Sequence, residues 1–157
     1  MSDSLYRTAD GHESGGIRQI SVFVDNRVGQ LLRLIQTFKG TSIRILAIQV
    51  EHAVECAIVR FMLDDPDRGL QLLSEAGFPT SVTELIVVEL PPGEALMTIC
   101  STLLSAELNI DYAYAFLAQP TGRPALAIHC DDVLMAQSVL RNRKLTILTE
   151  NDLNPLR

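Results

Sequence analysis

The nucleophilic and titratable side chains of the sequence do not form a pattern typical of catalysis. His12, His52 and His129 each lack a nucleophile and an orienting carboxylate nearby in the sequence. His129 adjoins Cys130, but neighbouring strand residues point to opposite faces and cannot converge on one metal ion. His52 and Cys56 flank a predicted hairpin turn, yet two ligands alone make a weak site. We therefore predict neither a metal nor another cofactor, and no enzymatic activity.

Two pairs of adjacent acids, residues 64–65 and 131–132, resemble the paired carboxylates used in general acid-base catalysis. Each pair, however, directly precedes a segment with helical spacing of apolar residues. A carboxylate in that position accepts hydrogen bonds from the first-turn amides and interacts favourably with the helix dipole. We predict that Asp65 caps one of these helices and that Asp131 or Asp132 caps the other.

The segment from Asp25 to Leu32 is more informative because it joins a predicted strand to a predicted helix, with Gly29 at the helix entry. Glycine permits the close approach of a ligand, and the first-turn amides of a helix can receive a carboxylate. A plain turn with an aspartate cap explains the same residues. The residues alone leave both interpretations open.

The elements that would position this segment occur twice in the same order, with Gly29 falling on Gly93 and Ile45 on Ile110. Apolar residues at alternate positions predict strands, and those at steps of three and four predict helices. The order in each half is strand, helix, strand, strand, helix, strand. In the first half this predicts a strand beginning near Ile17, a helix over residues 28–38, strands over 43–50 and 57–63, a helix over 66–76, and strands over 78–82 and 84–90. The second half continues with a helix over 96–106, strands over 108–117 and 125–130, a helix over 133–140 and a strand over 145–148.

Several predicted strands are apolar on both faces. Leu46 and Ile48 alternate with Ile45 and Ala47, for example. Helices would cover one face of the sheet, and the other face also needs a cover. Each half alone has a size at which folding buries only about 60% of the unfolded surface. We therefore predict that a second chain covers the outer face, in a homo-oligomer such as a dimer.

Composition excludes several classes of partner. The 157 residues include 13 Lys and Arg against 19 Asp and Glu, a net charge of −6, which does not suit a nucleic-acid-binding surface. Uncharged apolar runs such as residues 85–88 are far shorter than the roughly 20 residues of a membrane span. Three cysteines without a C-x-x-C motif favour a reducing, cytoplasmic location. Residues 1–16 are polar, and we interpret them as a mobile tail without a signal peptide.

The repeated order of elements resembles the ACT domain, a small regulatory module that binds amino acids. The residues that carry the resemblance are Asp25-Asn26-Arg27-Val28-Gly29-x-Leu31 in the first copy, and Pro92-Gly93 followed by Leu108-Asn109-Ile110 in the second. The similarity covers about residues 17–152. It implies an α+β fold in which a ferredoxin-like βαββαβ unit is repeated twice, with helices on one face of a fused antiparallel sheet of about eight strands. The corresponding divisions are a tail over residues 1–16, repeats over 17–83 and 84–152, and a C-terminal end over 153–157.

The resemblance also implies ligand sites at the seams between units, where the loop after the first strand of one unit faces the second strand of its neighbour. The residues nominated in this way are Asp25, Asn26, Val28, Gly29, Gln30, Leu31, Arg44, Ile45, Pro92, Gly93, Glu94, Asn109 and Ile110. The copies differ from the family pattern in two respects. Val28 stands where the family usually has proline, and Arg44 stands where the second copy has Asn109.

The resemblance implies a non-catalytic sensor in which an amino acid at a seam changes assembly or the affinity for a separate regulated protein. An alternative is a ligand-independent module for protein interaction or oligomerisation, which Val28 and Arg44 favour. A third hypothesis, an acylphosphatase-like hydrolase, would require a phosphate-binding loop with a positioned arginine. Arg27 without a glycine-rich loop supports it poorly.

Overall fold

The computed structural model describes residues 15–154. Most of the predicted tail, residues 1–14, and the last three residues of the predicted C-terminal end therefore lie outside the described part. The first repeat contains β1 (Ile17–Asp25), α1 (Gln30–Gln36), β2 (Ile45–His52), β3 (Cys56–Leu63), α2 (Pro66–Glu75) and β4 (Thr80–Glu89). The chain continues with α3 (Ala95–Ser105), β5 (Ile110–Ala115), β6 (Ala125–Cys130), α4 (Val133–Asn142), β7 (Ile147–Leu148) and α5 (Glu150–Leu153).

The strands form one antiparallel sheet of seven strands in the order β2-β3-β1-β4-β6-β5, with β7 also paired to β4. The first half of β4 pairs with β1, and its second half pairs with β6 and β7. One strand thus closes the first βαββαβ unit and opens the second. The predicted α+β tandem fold is confirmed.

The sheet has seven strands, compared with the predicted number of about eight, because the segments 78–82 and 84–90 form the single strand β4. No glycine or proline interrupts residues 80–90, so nothing in the sequence breaks the strand. The boundary predicted between residues 83 and 84 falls inside this strand.

Helices α1, α2, α3 and α4 cover one face of the sheet and form two apolar cores, one in each repeat. The core of the first repeat lies under α1 and α2 and includes Leu34, Phe61 and Leu73, and the core of the second lies under α3 and α4 and includes Ile99 and Leu140. The opposite face of the sheet curls on itself and encloses a third core. We call this third cluster the inner core; it contains Ile17, Leu46, Ala47, Met62, Leu85, Val87, Tyr114, Ala125, Ala127, Leu148 and Leu153.

The curl brings together the two edges of the sheet, β2 and β5. Ala47 in β2 forms an antiparallel bridge with Phe116, just beyond β5. The backbone amides of Leu117 and Ala118 donate to the carbonyl oxygen of Leu46, at 2.8 and 3.3 Å. The two repeats therefore meet at this edge contact as well as along β4 and in the inner core.

The inner core corrects one inference from the sequence. We predicted that a second chain would cover the face that the helices leave open. Leu46 and Ala47 are instead only 1% and 0% exposed within one chain, because the second repeat folds over that face. The two-sided apolar pattern is thus explained without a partner, and it no longer argues for an oligomer.

Helix α1 also differs from its prediction. The helix was predicted over residues 28–38 from its apolar spacing, but Leu31, Leu32 and Ile35 of that pattern are 37, 60 and 38% exposed, and Leu34 is the buried residue of the helix. The helix starts at Gln30, after Gly29 at φ +87°, and ends after seven residues. Its short length limits the surface that it can place on the sheet.

Candidate functional site

A cavity of about 600 Å³ lies where β4 leads into α3. It is lined by residues 90–97 and by residues 122–124, which belong to the loop between β5 and β6. Three residues nominated from the sequence, Pro92, Gly93 and Glu94, line it together. Its volume lies in the range of small-molecule sites, roughly 300–1,000 Å³. Every lining residue belongs to the second repeat.

Gly93 gives this loop its shape. Its φ of +106° lies in a region that residues with a side chain rarely adopt, so glycine is required here by backbone conformation. A Cβ at Gly93 would meet no atom within 4 Å, which shows that space is available beside the backbone. The loop can therefore receive a ligand close to its main chain.

Helix α3 begins at this cavity without a side-chain cap. Its N-cap residue, Glu94, makes no capping hydrogen bond. By contrast, Asp65 caps α2 by accepting from the amide of Arg68, and Asp132 caps α4 by accepting from the amide of Met135, as predicted. The first-turn amides of α3 thus lack the side-chain acceptor that α2 and α4 possess. A carboxylate placed there would supply that acceptor.

Two charged residues line the cavity, Glu94 at the start of α3 and Arg123 in the β5–β6 loop. Both side chains are exposed, and neither forms an ion pair within residues 15–154. The remaining walls are largely apolar and include Leu90, Leu96 and Met97. The arrangement offers a cation, an anion and an apolar surface to one small molecule.

The β5–β6 loop is held across the cavity by two hydrogen bonds to the end of β4. The hydroxyl of Thr121 donates to the carboxylate of Glu89 at 2.5 Å, and the amide of Leu90 donates to the carbonyl oxygen of Pro124 at 2.8 Å. Glu89 is the residue that aligns with Asp25 of the first copy. In the second repeat this acid therefore positions the loop that carries Arg123.

The nominated residues of the first loop lie elsewhere, beside the β2–β3 hairpin of their own repeat. The side-chain nitrogen of Asn26 lies 2.6 Å from Nε2 of His52. Asp25 and Val28 are exposed, and Gly29 has a positive φ with open space around it. Gln30 and Leu31 belong to the short helix α1, which also has no side-chain cap. None of these residues lines the cavity beside Gly93.

The nominated strand residues are engaged in other contacts. The backbone amide and Nε of Arg44 donate to the buried carboxylate of Asp64, at 2.8 and 3.1 Å. Ile45 lines a separate cavity under α1. Asn109 donates to Asp111 at 2.9 Å, and Ile110 packs against the core under α3 and α4. Within one chain, the structure does not place these strand residues against either glycine loop.

Sequence reasoning missed a polar cluster that joins the repeats beside the inner core. Gln19 is 1% exposed. Its side-chain nitrogen Nε2 donates to the hydroxyl of Tyr112, and its side-chain oxygen Oε1 accepts from the hydroxyl of Tyr114, both at 2.8 Å. The guanidinium of Arg60 lies 4.4 Å from the centre of the Tyr112 ring, and His129 stacks on the same tyrosine. Burial raises the pKa of Tyr114. These contacts link β1 and β3 of the first repeat to β5 and β6 of the second.

Two findings bear on other classes of site. Among residues 15–154, no group of three or more His, Cys, Asp and Glu side chains is placed to hold a metal ion. In the same part of the chain, no helix is long and apolar enough to cross a membrane.

Comparison with known proteins identifies relatives of the whole fold. A family model described as an ACT domain pair matches residues 15–157. The solved structure of protein BT0572 from Bacteroides thetaiotaomicron is similar, with 23% identity, 90% of this chain and 98% of that chain covered, and a TM-score of 0.80. The ligand-free regulatory subunit of aspartate kinase from Thermus thermophilus has 14% identity, coverage of 81 and 90%, and a TM-score of 0.56. The regulatory subunit of aspartate kinase from Thermus flavus has 13% identity, with 80% of this chain and 89% of that chain covered, and a TM-score of 0.53. No curated protein matches the sequence.

Proposed function

The chain belongs to the family of ACT domain pairs, and on that basis we propose that it is a non-catalytic regulatory module that binds an amino acid or a similar small zwitterion beside Gly93. Family membership supports a regulatory role. Two proteins with similar folds are regulatory subunits of aspartate kinase, which is consistent with that role.

The observation that carries this proposal is that one acidic and one basic side chain, those of Glu94 and Arg123, line the same cavity. In the proposed complex, the ligand carboxylate lies against Arg123 and the first-turn amides of α3, where charge-assisted hydrogen bonds are strong. The ligand ammonium lies near Glu94. The apolar walls receive the ligand side chain. Because the lining contains no third charged residue, we propose an amino acid with an apolar side chain, such as leucine.

The first experiment is a thermal-shift screen of the twenty amino acids. A ligand at a hundredfold excess over its Kd stabilises the folded state by about 2.7 kcal/mol. For a chain of this size that corresponds to a rise in Tm of roughly 5–10 °C. Apolar amino acids should raise Tm, while aspartate and lysine should not. If no amino acid raises Tm, the proposed function is wrong.

The second experiment separates the two charged contacts by calorimetric titration. L-Leucine is compared with isoamylamine, which lacks the carboxylate, and with isocaproate, which lacks the ammonium. Both analogues should bind more weakly than L-leucine, because each leaves one charged residue of the cavity without its partner. Equal affinity for isoamylamine and L-leucine would contradict the proposed role of Arg123.

A ligand-independent interaction module remains the alternative function, and the exposed apolar residues of α1 favour it. Leu31, Leu32 and Ile35 face solvent, and clustered apolar surface often marks an interface. The same surface supports our proposal that the protein forms a homo-oligomer such as a dimer. Light scattering at micromolar concentration tests that proposal, and a monomer would contradict it. If no amino acid changes Tm and a stable partner protein is recovered in pull-downs, the alternative function is favoured.

A further inference from the structure

We propose that the segment from Phe116 to Pro124 couples the cavity beside Gly93 to the first repeat, so that a bound ligand stabilises the contact between β2 and β5. The inference rests on the proposed function, because it concerns the regulation of the same site. We call residues 116–124 the coupling segment.

One end of the coupling segment forms a wall of the cavity. Gly122, Arg123 and Pro124 line it opposite the start of α3. This end is tied to β4 through Thr121, which donates to Glu89, and through Pro124, which accepts from the amide of Leu90. A ligand held between Glu94 and Arg123 would add a further restraint on the same end.

The other end of the coupling segment makes the edge contact with the first repeat. Phe116 bridges to Ala47, and the amides of Leu117 and Ala118 donate to the carbonyl oxygen of Leu46. The side chain of Leu117 is 70% exposed, so its link to β2 depends on the backbone hydrogen bond. Only a few residues thus separate the cavity wall from the edge of the first repeat.

The edge contact is small in comparison with the rest of the sheet. β2 pairs with β3 along its whole length, whereas its backbone contact with the coupling segment is one isolated bridge and two hydrogen bonds to a single carbonyl oxygen. Phe116 and Ala118 add apolar packing against the inner core. Local opening needs less free energy where few contacts must break. A ligand that restrains the coupling segment shifts this opening equilibrium, and by linkage a closed edge also favours binding of the ligand.

The first test uses the ligand-free protein and needs no knowledge of the ligand. Thr121→Val removes the hydroxyl that ties the coupling segment to Glu89. Hydrogen exchange of the Leu117 and Ala118 amides should become faster, while the amides of β1 and β3 keep their rates. The matched control is Thr146→Val, a nearby exposed position whose side chain makes no hydrogen bond within the described residues. Equal exchange in the two variants would overturn the coupling.

The second test adds L-leucine at a hundredfold excess over its Kd, so that nearly every molecule carries the ligand. Exchange of the Leu117 and Ala118 amides should slow by about fivefold or more, the lower end of typical coupling factors. If L-leucine binds and these rates do not change, the coupling is wrong and the proposed binding stands. If L-leucine does not bind, the proposed ligand class is wrong, and the comparison of Thr121→Val with Thr146→Val decides the coupling separately.

Discussion

In the proposed complex, Arg123 is the residue that recognises the ligand carboxylate. Arg123→Gln keeps a polar side chain at the cavity but removes the cation, so a charge-assisted hydrogen bond to the ligand is lost. Such bonds contribute about 1.5–3 kcal/mol, so the Kd for L-leucine should rise roughly 10- to 150-fold. Calorimetric titration measures this change.

The matched control for Arg123 is Arg27→Gln, which removes an exposed cation from the glycine loop of the first repeat. This variant should bind L-leucine as the unchanged protein does. If instead Arg27→Gln weakens binding and Arg123→Gln does not, the ligand lies at the first loop, and the assignment to the second repeat is wrong.

The sequence could nominate Pro92, Gly93 and Glu94 because a glycine between a strand and a helix is a local pattern. It could not nominate Arg123, which reaches the cavity only after β5 and β6 have returned the chain beside β4. The same limitation applies to Gln19, because each of its two tyrosine partners lies more than 90 residues away from it in the sequence. Local motifs therefore nominated three residues of the cavity lining, and tertiary pairing brought the segment with Arg123 beside them.

Tyr114 makes the stability of the protein sensitive to alkaline pH. Burial raises the pKa of its hydroxyl above the ordinary value of about 10, so the folded state retains the proton to higher pH than the unfolded state does. The resulting stabilisation is fully present below pH 10 and is lost as pH rises toward the raised pKa. Tyr114→Phe should therefore lose less stability between neutral and alkaline pH. Urea denaturation of the unchanged protein and of Tyr114→Phe, at neutral and at alkaline pH, tests this. An identical loss of unfolding free energy in the two proteins would contradict it.

At the scale of elements, the four longer helices differ in whether a side chain caps their N-terminus. Asp65 and Asp132 cap the helices that follow the hairpins, whereas α1 and α3, which follow the glycine loops, begin without a side-chain cap. Both aspartate caps were predicted from the sequence because the capping signal is local. The uncapped start of α3 matters for function, since it leaves amides available beside the cavity.

Alanine substitutions at the three N-cap positions should separate structural caps from the ligand site. Asp65→Ala and Asp132→Ala should each lower the free energy of unfolding by about 1 kcal/mol, because each removes a side-chain acceptor from first-turn amides. Glu94→Ala should leave it nearly unchanged and should weaken the binding of L-leucine. Urea denaturation and calorimetry measure the two effects. A large loss of stability in Glu94→Ala would show that Glu94 has a structural role.

At the scale of the whole molecule, β4 and the inner core make the two repeats one folding unit. Leu85 stands at the centre of both features, because it pairs with Ile17 in β1 and belongs to the inner core. Leu85→Ala should cost about 2–5 kcal/mol, as is typical of large-to-small substitutions in cores. Probes placed in either repeat should report one common transition in urea. Separate transitions for the two repeats would contradict a single folding unit.

The sequence could not predict that the sheet curls on itself, and the reason is physical. Apolar residues on both faces of β2, such as Ala47 in the inner core and Ile48 against the core under α1 and α2, predict that both faces are covered. They do not determine whether the cover belongs to the same chain or to another. Contacts between distant parts of the chain make that choice here. One of these contacts is the ion pair between Arg18 of β1 and Glu150 of α5, with Nε and Oε1 2.7 Å apart.

The proposed binding site is tested most directly by mapping amide chemical-shift changes by NMR during a titration with L-leucine. Our account predicts that the largest changes occur in two separate segments of the second repeat, one around Gly93 and Glu94 and the other around Arg123, with smaller changes at Leu117 and Ala118. Changes confined to residues 25–31, or no changes at saturating L-leucine, would contradict it.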